Sequence, residues 1–229
     1  LWLVGSHAAV RDKADLEEDD ATKAIKELTK VKRPPNRWTL AAFELRDAGA
    51  TLGPVARLLN DGATTPLLDA LAGDPHLAPF LSIPAKDNGF DIEGLAVLDK
   101  RVFLGLRGPV LRGWAILLEL LVEIDGDRLV LKPNGPDGKH YRKHFLDLEG
   151  CGLRDLALHD GGKEFLLLAG PTMALDGTIR LHRWRIPAVE GSDTITGKKD
   201  CREVMTIPHR RGKDRAEGIE LLSGPAGLE

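Results

Sequence analysis

The chain has 229 residues, of which 42% are hydrophobic, which is enough apolar material for a packed core. Its formal net charge is −3 and its sequence pI is about 6.2, so it has no overall positive field for nucleic acid or anionic lipid. The longest apolar run, residues 114–122, is much shorter than the roughly 20 residues of a membrane helix. We therefore expect neither a nucleic-acid partner nor a membrane partner.

The chain begins with residues 1–7, an apolar run typical of a strand. This run has neither an initiator Met nor a basic leader with a cleavage site. We expect residues 1–229 to be a single domain that is an internal piece of a longer protein.

Two segments interrupt the strand-like pattern. Residues 8–36 are dense in charge and end in two prolines, which predicts a solvated loop or a frayed helix, with a docking arm for a partner as the alternative. Residues 64–81 have apolar positions at helical spacing, with Thr65 as a candidate N-cap and Pro66 at the first helical position. This second segment predicts a small helical insertion.

From residue 91 onward, short strand-like runs alternate with tight-turn pairs such as Asp125-Gly126 and Asp176-Gly177. Strand, turn and strand at this density predict an all-β fold built from antiparallel meanders.

One motif recurs within this region. Its acidic residues, Glu93, Asp155 and Glu217, are spaced 62 residues apart, and the first two copies are each followed by an apolar run that ends in Gly-Pro. A fixed period of β segments is typical of repeat architectures. The repeat predicts a β-propeller-like arrangement in an incomplete ring, with the three acids at equivalent positions pointing toward a common axis.

The two cysteines, Cys151 and Cys201, have no short metal-binding spacing. They are most simply reduced, half-buried thiols, which favours a cytoplasmic protein.

The three repeated acids have two interpretations. Carboxylates that converge on one channel repel each other unless a cation offsets them, so Glu93, Asp155 and Glu217 are candidate ligands for Ca²⁺ or Mg²⁺. Alternatively, each acid accepts hydrogen bonds from backbone amides or pairs with arginine, and so ties one repeat to the next.

Several basic residues lie near these acids in the repeat frame. They are candidate ligand-binding residues, namely Arg107, Arg112, Arg154 and His7. Arginines and carboxylates in one channel can form a self-neutralised ring of ion pairs, or an anion site beside a metal.

Residues 88–97 and 104–114, with supporting runs over nearly the whole chain, resemble the family named domain of unknown function 3616. The resemblance implies a β-propeller-like domain without an established activity, in proteins that continue on both sides of this piece. More distantly, the Glu-Gly-Leu and Glu-Gly-Ile elements at Glu93 and Glu217 are similar to those of esterase-like phytases and related calcium-associated propellers. That similarity implies an acid in the channel.

Two functions are therefore expected from the sequence. The first is a propeller with a polar central channel that binds a divalent cation, Ca²⁺, and a small phosphate- or ester-bearing ligand, with or without hydrolysis. The second is a non-enzymatic scaffold for protein–protein interaction. Common nucleophile and phosphate-loop motifs do not occur in the sequence.

Overall fold

The computed structural model describes residues 1–13, 21–49, 51–173, 176–208 and 215–221. Within these ranges there are two α-helices, α1 (Ala21–Glu27) and α2 (Pro66–Leu71). The strands are β1 (Trp2–Val4), β2 (Val10–Arg11), β3 (Val31–Lys32), β4 (Leu40–Arg46), β5 (Thr51–Arg57), β6 (Asp91–Leu98), β7 (Arg101–Gly108), β8 (Trp114–Asp125), β9 (Arg128–Lys132), β10 (Arg142–Asp147), β11 (Gly152–His159), β12 (Glu164–Gly170), β13 (Ile179–Arg185), β14 (Thr194–Thr196) and β15 (Cys201–Ile207).

The first meander consists of β6, β7, β8 and β10, each antiparallel to its neighbour. The turn from β6 to β7 places Asp99 at a φ of 55°, a left-handed conformation that aspartate tolerates better than most residues. Strand β8 is long enough to pair with β10 along its first half and with β9 along its second half.

The second meander consists of β11, β12, β13 and β15, also antiparallel throughout. Its apolar face packs against the first meander, and the buried rings of Phe165 and Trp184 stack beside Phe103. The first strands of the two meanders lie side by side. A Cβ atom on Gly94 of β6 would come within 2.9 Å of the Leu156 side chain of β11, so the close approach requires glycine.

The N-terminal part forms a third group of strands, β1, β4 and β5, which joins the first meander through a parallel contact between β5 and β9. Helix α2 packs into the core between them through Leu67 and Leu71. The predicted helix is therefore present, and the Thr65 hydroxyl accepts a hydrogen bond from the Leu68 backbone amide at 3.3 Å, as an N-cap does.

The all-β prediction is confirmed in its general form, since the protein is mostly β, but the sheets are mixed as well as antiparallel. Strand β14 runs parallel to β10, although β14 lies between two strands of the second meander in the sequence. A purely antiparallel meander was therefore the wrong expectation for this segment, because β14 crosses to the neighbouring sheet. The sheets formed by the described residues do not close into a ring.

The charged segment 8–36 is anchored at its base. Ala8 and Ala9 are buried, and Arg11 on β2 pairs with Asp87 at 2.7 Å. The segment also contains α1 and the β2–β3 pair, while its acidic run at residues 15–20 lies outside the described residues. No helix in the described part of the chain combines the length and apolar character needed to cross a membrane.

Candidate functional site

The candidate site lies where β6 and β11 run side by side. Each strand contains a β-bulge, a residue that the pairing with the next strand skips. The skipped residue is Glu93 in β6 and Arg154 in β11. Asp155, which the 62-residue spacing aligns with Glu93, is not skipped and pairs with Leu168 of β12. The bulge is therefore displaced by one residue between the two copies of the sequence repeat.

Glu93 sits between two guanidinium groups. Its Oε1 lies 2.9 Å from Nη1 of Arg107, and its Oε2 lies 3.1 Å from Nη1 of Arg154. Because the two arginines come from different meanders, the single carboxylate joins the two sheets. Its side chain is 27% exposed, so the pair is shielded from much of the solvent screening that weakens surface ion pairs.

Asp91 extends this network into the interior. Its Oδ2 lies 2.8 Å from Nη2 of Arg107, and its side chain is only 5% exposed. Burial raises the pKa of Asp91 to about 7, although Arg107 opposes the shift; the nearby charge of Glu93 adds to it. Asp91 therefore changes its charge near neutral pH.

The other two repeated acids have different surroundings. Asp155 accepts hydrogen bonds from the backbone amides of Leu156 at 2.8 Å and Ile219 at 2.9 Å, and so fixes residues 215–221 against β11. Glu217 is 70% exposed, and its Oε1 is 4.0 Å from Nη1 of Arg154. Across the described ranges, no group of three or more His, Cys, Asp or Glu residues is arranged to hold a metal ion.

A small cavity of about 60 Å³ opens beside Arg107 and Arg154, the two partners of Glu93. One water molecule needs roughly 10–15 Å³ of such space, so the cavity suits a small ion or a few waters. Its lining is mainly basic, with one acid and two uncharged residues: Lys86, Arg107, Arg154, Arg215, Glu217, Thr172 and Met173. We call this cavity the channel pocket.

In two of the arginines that line the channel pocket, one N–H group has no hydrogen-bond acceptor. Nε of Arg107 and Nε of Arg154 are buried and find no hydrogen-bond acceptor among the described residues. An unpaired buried donor costs about 1–3 kcal/mol, a cost that the other hydrogen bonds of these arginines must offset. Arg154 is otherwise fixed, since its Nη2 donates to the Pro171 carbonyl at 3.0 Å.

The two remaining candidates occupy different environments. His7 is buried at a φ of 53°, and its Nδ1 donates to the Gly5 carbonyl at 2.9 Å. Burial lowers the pKa of His7, so the ring is neutral at pH 7. His7 follows Ser6, whose carbonyl accepts from the Ile92 amide on β6. Arg112 lies in an exposed turn before β8 and is not part of the lining of the channel pocket.

Sequence reasoning missed Asp91 and Lys86. Asp91 had a usable signal, because it stands two positions before Glu93, the spacing that places two side chains on one face of a strand. Lys86 lies in a short helical turn, Ala85–Asp87, that is remote from the repeat in the sequence pattern, and nothing local points to it.

The fold and the site together define a mostly β protein of packed antiparallel meanders with a buried arginine–carboxylate network between their first strands. The chain belongs to the family described as protein of unknown function DUF3616, whose model matches residues 1–228. No curated protein and no solved structure matches the chain, so the similarity to esterase-like phytases gains no support from these comparisons.

Proposed function

We propose that this domain binds a small oxyanion, such as the phosphate group of a small molecule, in the channel pocket. The observation that carries the proposal is the charge of the lining, in which Lys86, Arg107, Arg154 and Arg215 face a single acid, Glu217. Arginine donors match the geometry of phosphate oxygens.

The same geometry favours an anion over a divalent cation. Both oxygens of Glu93 are engaged by arginine, and Asp155 is engaged by backbone amides. A calcium ion needs six to eight oxygen ligands, so it would have to displace these partners and lie next to two guanidinium groups. Calcium bound by Glu93, Asp155 and Glu217 stays the alternative prediction.

We also propose that the two meanders are neighbouring blades of a propeller-like arrangement, with the channel pocket at the mouth of its central channel. The side-by-side packing of β6 and β11 supports this, because first strands line the axis of a propeller. An experimental structure should show the two four-stranded sheets arranged around one axis, with β6 and β11 nearest to it. Sheets stacked in any other way would contradict the proposal.

Phosphate titration with a matched pair of variants tests the anion site. Lys86 is exposed, so Lys86→Gln removes one charge from the pocket without disturbing the core. We expect inorganic phosphate binding, measured by calorimetry, to weaken about 10-fold, the effect of losing one charge-assisted hydrogen bond. The control Lys132→Gln removes a half-buried lysine on β9 that pairs with Glu123 and does not line the pocket, and it should bind phosphate as the wild type does.

Calcium is titrated in parallel, with thermal unfolding as the second measurement. The anion site predicts that phosphate raises the unfolding temperature and that Ca²⁺ alone does not. Stabilisation by Ca²⁺ without phosphate would favour the metal interpretation instead. Equal phosphate affinity in the wild type and Lys86→Gln would exclude the channel pocket as the binding site.

A further inference from the structure

A second cavity lies at the opposite end of the interface between the two meanders. It opens near Arg101 at the start of β7, whereas the channel pocket lies near Arg107 at the end of that strand. Six residues of a strand span about 20 Å, so the two cavities are separate. The second cavity has a volume of about 970 Å³ and is walled by residues 133–135 and 186–191. We call it the rim groove.

The floor of the rim groove is a buried ionic cluster built on three adjacent strands. Glu119 of β8 is 2% exposed and accepts two hydrogen bonds from Arg101, at 2.9 and 3.0 Å. Arg142 of β10 donates to the same carboxylate through Nε at 2.9 Å, and its Nη2 lies 2.8 Å from Oε2. These partners hold the pKa of Glu119 far below its usual value despite burial, so the carboxylate stays charged.

His144 completes the floor as a neutral ring. Burial lowers the pKa of His144. Its Nε2 donates to Glu119 at 3.1 Å, while Nδ1 accepts from the Thr194 hydroxyl at 2.7 Å. The floor therefore carries two positive charges, on Arg101 and Arg142, against one negative charge. The excess of one positive charge faces the groove.

Stability alone gives no reason for this arrangement. Buried ion pairs add little net stability compared with well-packed apolar side chains, and this cluster borders an apolar interface that could have continued through it. Arg142 also donates to the carbonyl of Val189, so the cluster holds the wall of the groove in position. An ionic floor that is tied to the wall of an open groove is an arrangement suited to ligand recognition.

The walls of the rim groove combine charged and apolar side chains. The charged ones are Lys163, Arg185 and Glu190. The apolar ones include Leu121, Pro133, Ile186, Pro187 and Val189, and Val189 is 52% exposed. Small-molecule sites typically have about 300–1,000 Å³ of space, apolar walls and a few polar groups that fix orientation. The rim groove has each of these features.

We propose that the rim groove binds a small organic monoanion, a carboxylate with an apolar body. The carboxylate lies against Arg101, whose guanidinium is the more exposed of the two on the floor, and the apolar body lies along the wall that contains Val189. The basic residues of the lining outnumber its acids, which favours an anion, and the planar guanidinium suits a carboxylate geometrically. This site is independent of the phosphate site proposed for the channel pocket.

Octanoate is a suitable probe, with 1-octanol as its uncharged counterpart, and calorimetry measures the binding of each. We expect octanoate to bind saturably and octanol at least about 10-fold more weakly, because octanol lacks the charge-assisted hydrogen bonds. Arg101→Gln should weaken octanoate binding about 10-fold while Arg142 and His144 continue to hold Glu119. Lys86→Gln in the channel pocket should leave octanoate binding unchanged.

A second variant covers the case in which Arg101→Gln fails to fold. Val189→Asp places a negative charge on an exposed side chain of the wall without touching the carbonyl that binds Arg142. It should abolish octanoate binding and keep the unfolding temperature of the wild type. The proposal is overturned if octanoate shows no saturable binding up to about 10 mM. It is also overturned if octanol binds equally well, or if folded Val189→Asp binds octanoate normally.

Discussion

Removing Arg107 should destabilise the protein by an amount that depends on pH. The side chain is nearly buried and pairs with Asp91 at 2.8 Å and Glu93 at 2.9 Å. Arg107→Ala leaves Glu93 paired with Arg154, but it leaves the buried Asp91 without its cation. Breaking a buried ion pair costs about 3–5 kcal/mol. Asp91 can avoid part of this cost by binding a proton. We therefore expect the free energy of unfolding to fall by about 3 kcal/mol at pH 8.

The sign of the pH dependence follows from Asp91. Its pKa of about 7 in the folded protein lies above the ordinary value of 3.8, so the folded state holds the proton more tightly than the unfolded state. In the wild type, the contribution of Asp91 to stability is fully present below pH 4 and is lost as the pH rises through 7. Without Arg107 the ionised form loses its partner, so this loss becomes larger. At pH 5 the variant should be only about 1 kcal/mol less stable than the wild type, the value of a neutral hydrogen bond.

Urea unfolding at pH 5 and at pH 8, monitored by tryptophan fluorescence, measures the loss in the free energy of unfolding at each pH. Arg46→Ala is a matched control, because Arg46 pairs with Glu44 on an exposed strand and its removal should leave the free energy of unfolding unchanged. A variant at position 107 with the stability of the wild type at pH 8, or with the same loss at both pH values, would refute this account of the network. If adding Ca²⁺ restored the variant, the acids would be metal ligands instead.

Three further predictions concern other parts of the chain. Thr65→Ala should cost about 1 kcal/mol in urea unfolding, since the N-cap of α2 is lost, whereas Thr65→Ser should cost much less. Asp155→Ala should release residues 215–221, and faster amide hydrogen exchange at Ile219 with unchanged exchange in β12 would show it. Burial raises the pKa of Cys201 to about 12, so this thiol should react with Ellman's reagent only on unfolding; rapid labelling in the native state would contradict its burial.

Local chemistry made part of the fold predictable. Helix α2 begins where Thr65 and Pro66 indicated, and the turn between β8 and β9 falls at Gly126-Asp127, one residue after the predicted Asp125-Gly126 pair. These features depend on neighbours in the sequence, which the pattern displays directly. The parallel pairing of β14 depends instead on a contact about 50 residues away along the chain, between His144 and Thr194, and no local pattern records it.

The site was predictable to a similar extent. The repeat located Glu93, Arg107 and Arg154 in one region, and the structure brings these three into contact. The sequence repeat could not give the strand register of these residues, because a bulge adds a residue to a strand without changing the hydrophobic pattern. Lys86 joins the channel pocket through a turn that precedes β6, so only the tertiary structure places it there.

The crossing of β14 has a consequence for how this protein folds and evolves. The chain leaves the second meander after β13, adds a strand to the outer edge of the first, and returns to complete the second with β15. During synthesis, the first meander therefore gains its last strand only when most of its neighbour already exists. A gene rearrangement that copied or deleted either meander at the boundary near residue 150 would leave one sheet with a strand too many or too few. The first sheet is therefore complete only when the segment after residue 150 is present.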